Sequence, residues 1–502
     1  MNMNSLDLVI LITFTINLLI ATFLMARKYF SNQNQIPPDL KRLLYRLFTV
    51  QTSVTFGIHI QMPYKYQLYL ENGLTHSTIS KIMCYHHLIT GVWNIFLPFA
   101  IKYFGHRLLI VFASLCFSIS SFIIGHNNGS INSFIVASCF SGLTMPTIMR
   151  CFQDIWQLEE KNLPSNWKAN YVYNETRSFI SLVTTWIISP LSSFIASHYG
   201  TRMIFNFTSI LILVSILPTF ILIKDPTPLL DDTNTNNNNE KSKETDISLV
   251  VKHFKEHKIT FFVIFLDILI SIGMFLFHQR SSAFLLTPEH KPPMGFVSGT
   301  NGVLDLTGAQ IISLFSHFLP YQSWMSVFSF LMGTSMIFIF LSYKNKVLVF
   351  VFICMHSFVS SGFMANGFFL HKQYYPSDLR NYFMSLIRIP TSVTSFLIMW
   401  FWRSEKIEYY ALVAGFLLMI SAVLFVFLKS KDDIESYTKD DGKLLLDVES
   451  CENDDKESGI NIDMMEEEHE NDSVVIIKQD DDEDDENNND DSDDMKKNIN
   501  RN

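Results

Sequence analysis

Between residues 6 and 428, apolar stretches near twenty residues long alternate with short polar loops about thirteen times. Hydrocarbon cannot hydrogen-bond a peptide group, so a stretch of that length crosses a bilayer as a closed helix. The pattern predicts spans at 6–26, 43–64, 80–101, 107–125, 131–152, 177–198 and 203–223, and then at 259–279, 296–317, 322–342, 346–370, 381–402 and 408–428. A polar stretch separates the two sets, with Asn236–Asn239 and mixed Lys and Glu, and predicts a solvated connector with one short helix near Ser248–His257.

One span, then six, a long link and six more is the rhythm of an all-α membrane protein with two six-helix halves and an extra N-terminal transmembrane helix. The expected organisation is an extra helix within 1–30, an N-terminal half at 43–223, a cytosolic linker at 224–258, a C-terminal half at 259–428 and an acidic, disordered cytosolic tail at 429–502. Arg27, Lys28, Lys41, Arg42 and Arg46 fill the first loop, which assigns that loop to the cytosol and puts the N-terminus outside. The first span lacks a preceding positive region and an A-x-A-like cleavage site, which favours an uncleaved helix over a signal peptide. On this topology Asn128-Gly-Ser lies on an exterior loop and is a candidate glycosylation sequon.

Charge sharpens the division between bundle and tail. From residue 432 onward 28 acidic side chains face 7 basic ones, so the whole-chain net charge of −10 hides a basic membrane part near +11. Leu445-Leu446 in the tail, after Asp441, resembles an acidic di-leucine sorting signal. The six cysteines lack C-x-x-C spacing and lie mostly in apolar stretches, where they act as small hydrophobes. No nucleotide-binding, zinc-protease or nucleophile-elbow motif is present, so the residues predict no enzyme and call for no cofactor or metal.

A charge inside a membrane is costly unless paired or wet, so intramembrane polar residues are the candidates for function. His59 and Gln61 precede Pro63, Tyr64, Lys65 and Tyr66 late in the second span. Asp267 and His278 lie on the first span of the C-terminal half and Asp305 on the next, while His356 and Asn366 share a later one. Arg388 lies about 10 Å inside a helix starting near Asn381, two residues before Pro390. Its planar fork of donors suits oxyanions, and Pro390 permits a kink. Its other reading is a side chain that snorkels to the cytosolic face or pairs with a structural acid. Asp267 either holds a proton or forms an ion pair, Asp305 either faces a wet cavity or serves as scaffold, and the histidines are interior residues or proton relays. Asn366, between Ala365 and Gly367, either bonds a neighbouring helix or contacts a substrate.

Several segments resemble the eukaryotic molybdate-anion transporter family, a branch of the major facilitator superfamily. Gln61-Met62-Pro63-Tyr64-Lys65-Tyr66-Gln67-Leu68-Tyr69 is similar to its Q-x-P-Y-x-Y-x-L-Y run, and Tyr103-Phe104-Gly105-His106-Arg107 to a degraded D-x-x-G-R-K loop. Gly142-Leu143-Thr144 with Phe152-Gln153, Leu163-Pro164-Ser165-Asn166-Trp167, and the spacing from Pro376 to Arg388 and Pro390 extend the likeness over about residues 40–430. The resemblance implies a major-facilitator-type bundle whose halves alternate access to a central cavity, with a small oxyanion, molybdate-like, as substrate. Arg388 fits that substrate, with Gln61, Tyr64 and Tyr66 as neutral donors; from the residues themselves Asn366 is a further candidate substrate contact, Asp267, Asp305 and His59 are candidates for ion coupling, and Pro63, Gly105 and Pro390 for conformational roles. Lys102, Gln153, Ile58 and Ile270 stand where relatives carry acids, which puts proton coupling in question and points to a divergent paralogue. The expected location is a membrane, the plasma membrane ahead of internal ones. The same fold also suits a sugar or other neutral metabolite, and a non-transporting receptor or scaffold signalling through the acidic tail is the third reading.

Overall fold

The computed structural model describes residues 4–32, 38–160, 169–223, 252–255, 257–278, 280–287, 290–315, 318–375, 380–401 and 406–428, and every element among them is helical. The acidic tail with its di-leucine pair, most of the central linker and residues 163–167 lie outside the described residues. In chain order the helices are α1 (Ser5–Asn32), α2 (Pro38–Glu71), α3 (His76–His126), α4 (Ile131–Glu160), α5 (Ala169–Tyr199) and α6 (Thr201–Leu222). They continue with α7 (Lys258–His278), the short α8 (Ser281–Leu285), α9 (Met294–Phe315), α10 (Tyr321–Leu341), α11 (Lys346–Tyr374), α12 (Arg380–Phe401) and α13 (Glu408–Val426). α3 is two spans joined at Gly105, whose φ of 74° and ψ of 168° turn the chain between residues 76–104 and 106–126. A positive φ costs glycine nothing and any other residue about 1–2 kcal/mol. With α3 counted twice and α8 omitted, thirteen membrane-length helices result among the described residues.

The fold is a helical bundle of two six-helix halves, with α1 as an extra helix. Its burial pattern is that of a bundle in lipid. On α6, Ile210, Val214, Leu217 and Ile221 form an outward apolar stripe, each over 60 % exposed, whereas Thr208, Ser209, Ser215 and Thr219 are buried. Ser209 and Ser118 of α3 share a hydrogen bond of 2.9 Å, the small-residue contact that lets membrane helices approach closely. In the C-terminal half, Gly333 of α10 and Gly415 of α13 face each other; a Cβ on Gly415 would lie 3.0 Å from the Gly333 carbonyl oxygen. Eight helices are long and apolar enough to span by length and composition, among the described residues. α2, α5, α9 and α12 are of spanning length but carry more polar groups, because they turn toward the interior.

The halves meet along two seams, α3 against α12 and α5 against α9. One continuous apolar core runs across them, from Tyr64 and Ile82 to Leu276, Phe277 and Ile387. α1 lies along α9 and touches α5 and α11. Phe14 packs edge-on against Phe296 at 5.1 Å, and Leu18, Ala21 and Met25 cover Leu182, Val303 and Leu306. Prolines inside α2 (Pro63), α5 (Pro190) and α12 (Pro390) free backbone carbonyls in these interior helices.

Candidate functional site

α2 supplies polar groups in three directions after Pro63. Gln61 and Lys65 are one turn apart and share a face. Gln61 is 3 % exposed and its Oε1 has no hydrogen-bond partner. Next to this face, α3 carries His86 and His87, their rings perpendicular at 5.1 Å. His86 bonds the backbone of Ser138 on α4, leaving Nδ1 without a partner. His87 is fully buried, neither ring nitrogen is hydrogen-bonded, and the ring packs 4.3 Å from Phe275 of α7. Lys65 and Arg280 both lie close enough to His87 to act on it electrostatically.

Arg280 follows α7 and crosses to the other half. It is 0 % exposed, donates 3.2 Å to the Tyr66 hydroxyl and donates to Ser80 Oγ. Its guanidinium stands 4.5 Å from the Tyr410 ring centroid and 5.6 Å from that of Tyr66, so aromatic faces and hydroxyls solvate the charge. Tyr66 also bonds His76 Nδ1 at 2.6 Å. The third direction of α2 belongs to Tyr64, whose hydroxyl accepts from Gly295 N–H at 3.0 Å and donates to Ser193 Oγ at 3.4 Å.

Further contacts join the halves at this end. Lys291 pairs with Glu71 at 2.9 Å, and Gln67 and Thr201 also donate to that carboxylate. Burial acts to raise the Glu71 carboxyl, but the bonds from Gln67 and Lys291, the Lys291 charge and Thr201 together hold it below the usual range. His290 meets Asp7 of α1 at 2.9 Å. Beneath these contacts a cleft with about 380 Å³ of empty space, part of it continuous with solvent, lies between α2, α5 and α9. His59, Pro63 and the hydroxyls of Thr185, Ser189 and Ser298 are on its wall.

The opposite end is organised by Asp154 on α4. It accepts from Arg150 Nε at 3.0 Å and stands 3.7 Å from His106, just past the Gly105 turn. Asp154 therefore supplies the charge that neighbouring Gln153 cannot. Arg388, half-buried on α12, lies within electrostatic reach of Arg150 and Asp154, so the acid facing it is Asp154. Asp267 accepts from the Tyr375 hydroxyl at 2.7 Å, and Asp305 accepts from Ser360 at 3.3 Å. Asn366 is on α11, with its side chain outside the described residues. Asn128 is exposed and accepts from Arg202 at 3.3 Å.

The structure places Gln61 one turn from Lys65, gives the hydroxyls of Tyr64 and Tyr66 contacts between halves, and leaves Arg388 at the far end of the bundle. Residue-level reading missed Lys65, His86, His87 and Arg280. The His86-His87 doublet inside a span was a visible signal, whereas Arg280 reads as a loop residue. No group of three or more metal-ligating side chains forms among the described residues.

Two packed six-helix halves with polar groups along their seams define a solute-carrying membrane bundle. The family model described as Major Facilitator Superfamily matches residues 47–389, and the chain belongs to that superfamily. Comparison with curated protein sequences gives no match. Among solved structures it is similar to a D-xylose-proton symporter, with a TM-score of 0.58 and 12 % identity over 76 % of this chain and 97 % of that one. A peptide-bound POT family transporter gives 0.57 and 13 % over 77 % and 96 %. The nucleoside transporter NupG gives 0.57 and 9 % over 78 % and 100 %. Likeness at these identities is likeness of fold. The protein is a multi-pass membrane transporter of that superfamily.

Proposed function

We propose that the chain carries a small oxyanion of the molybdate type, by alternating access of the two halves about a midplane site. The observation that supports this is the basic interior: Lys65, His86, His87 and Arg280 converge, and no carboxylate is among the groups that act on the two histidines. Buried charge without a counter-charge is costly, so such a cluster favours an anion when water reaches it. Tetrahedral oxyanions take several charge-assisted donors at once, which lysine, arginine and imidazole provide. On this reading Arg388, Gln61, Tyr64, Tyr66 and Asn366 meet the substrate along its path, Asp267, Asp305 or His59 couples an ion, and Pro63, Gly105 and Pro390 flex. The halves at 43–223 and 259–428 rock in the plasma membrane, joined by the linker at 224–258.

Uptake of labelled molybdate by cells lacking other importers tests this. Expression should raise uptake, and Arg388→Ala at equal surface abundance should lower it at least tenfold. Equal uptake by the two proteins removes Arg388 from the path, and no uptake above background overturns the substrate assignment.

The hydroxyl-lined cleft between α2, α5 and α9 favours a second reading, a sugar or other neutral hydroxylated solute. Competition by sulfate and phosphate against xylose separates the two, since a positively charged site prefers the oxyanions and a neutral hydroxyl-lined one prefers the polyol.

A further inference from the structure

The Lys65–His86–His87–Arg280 cluster contains more hydrogen-bonding capacity than the protein itself uses. Both nitrogens of His87, Nδ1 of His86, Nε of Arg280 and Oε1 of Gln61 are buried without a partner. Buried polar groups are nearly always paired, so several orphans around one pair of histidines point to a ligand they would bind. The orphans lie on elements of both halves. His86 and His87 belong to α3, Gln61 and Lys65 to α2, whereas Arg280 follows α7. The ring of His87 packs on neutral Phe275 of α7, and the groups that hold the Arg280 guanidinium, Tyr66, Ser80 and Tyr410, are neutral as well.

We infer that Lys65, His86, His87 and Arg280 enclose a subsite for a single small inorganic oxyanion, with Arg280 as its roof. The inference rests on the anion reading above and gives that anion a resting place distinct from Arg388. A neutral hydroxylated solute fits less well, because the Lys65 ammonium and the Arg280 guanidinium both act on His87 with no carboxylate among the groups that do, and only a negative charge offsets them. An oxyanion bound between His87 and Arg280 draws α3 toward the end of α7. It therefore favours closure of the two halves at this end, and substrate would drive its own occlusion.

A structural histidine and a ligand histidine differ in one measurable way. Replacing a side chain that makes no hydrogen bond by an apolar one of similar size removes a buried unsatisfied group, which is neutral or stabilising. The test uses full-length protein purified in lipid nanodiscs, melted with and without sodium molybdate, sodium sulfate or sodium phosphate at matched ionic strength, with xylose as a separate arm. Wild type should melt several degrees higher with an oxyanion than with chloride. His87→Leu should melt at or above the wild-type temperature without anion and lose the anion-dependent rise. Lys65→Met should lose it, and Lys65→Arg should keep part of it. If His87→Leu and Lys65→Met fold and retain the full rise, the subsite is overturned while the anion reading stands. If His87→Leu melts well below wild type, the ring is structural and the subsite is overturned as well. If no oxyanion shifts wild type and xylose does, the anion reading fails and the subsite with it.

Discussion

The two ends of the bundle hold an arginine in opposite ways. At one, Arg280 is fully buried between Tyr66 and Ser80 of the other half and the Tyr410 ring of its own, and none of its described partners is an acid. At the other, Arg388 is half-buried near an aspartate already engaged by Arg150 and close to His106. Neutral partners stabilise a cation without cancelling it, so Arg280 keeps its field inside the protein. A carboxylate cancels most of the field it meets, so the Asp154 end is a place for switching contacts. The Lys/Arg distribution predicts that the Arg280 end is exterior and the Asp154 end cytosolic.

The contrast is broken most directly at Arg280. Arg280→Ala removes two hydrogen bonds and two ring contacts, and should cost about 3 kcal/mol. Thermal melting in nanodiscs reads the loss, and Arg280→Lys should recover under half of it, because an ammonium lacks the guanidinium fork. A melting temperature unchanged by Arg280→Ala would remove the clamp. Next in size, Gly299→Val crowds Ser189 and Phe14 at the α5–α9 seam, and should cost about 1–3 kcal/mol. It should also raise the reactivity of a cysteine placed at Ser193; unchanged reactivity would mean the seam closes elsewhere.

At the Asp154 end a double-mutant cycle of Arg150→Ala and Asp154→Ala should give a coupling of about 1–2 kcal/mol. A coupling near zero would make the pair solvent-screened and weaken the distinction between the ends. The smallest effect belongs to Glu71. Its carboxyl is held below the ordinary value of 4.5, so the Lys291 contact contributes stability that is present above that value. That contribution is lost as pH falls through the lowered folded value. Melting curves from pH 6 to pH 3 should therefore converge for wild type and Glu71→Gln; a constant gap would remove Glu71 as the titrating group.

The architecture was legible because a bilayer imposes one rule on every span. Apolar runs gave thirteen helices, and even the break at Gly105 showed as a short polar loop between 101 and 107. Arg388 and Gln61 also stood out, since charge or amide inside an apolar run is conspicuous. Arg280 did not, because it sits in a polar sequence, and its burial depends on Tyr66, Ser80 and Tyr410 arriving from three other elements. Long-range contacts of that kind have no periodicity. Tyr64 and Tyr66 stood out as polar and intramembrane, but the partners of their hydroxyls in the other half, Gly295 and Arg280, did not.

The central claim is that a positively biased interior selects an anion. Its most direct test is counterflow of labelled molybdate in proteoliposomes of the purified full-length protein, with sulfate, phosphate, xylose and a nucleoside as unlabelled competitors. Saturable exchange inhibited by the oxyanions and untouched by xylose and the nucleoside is the predicted result. Vesicles holding folded protein that exchange xylose but no oxyanion would contradict it.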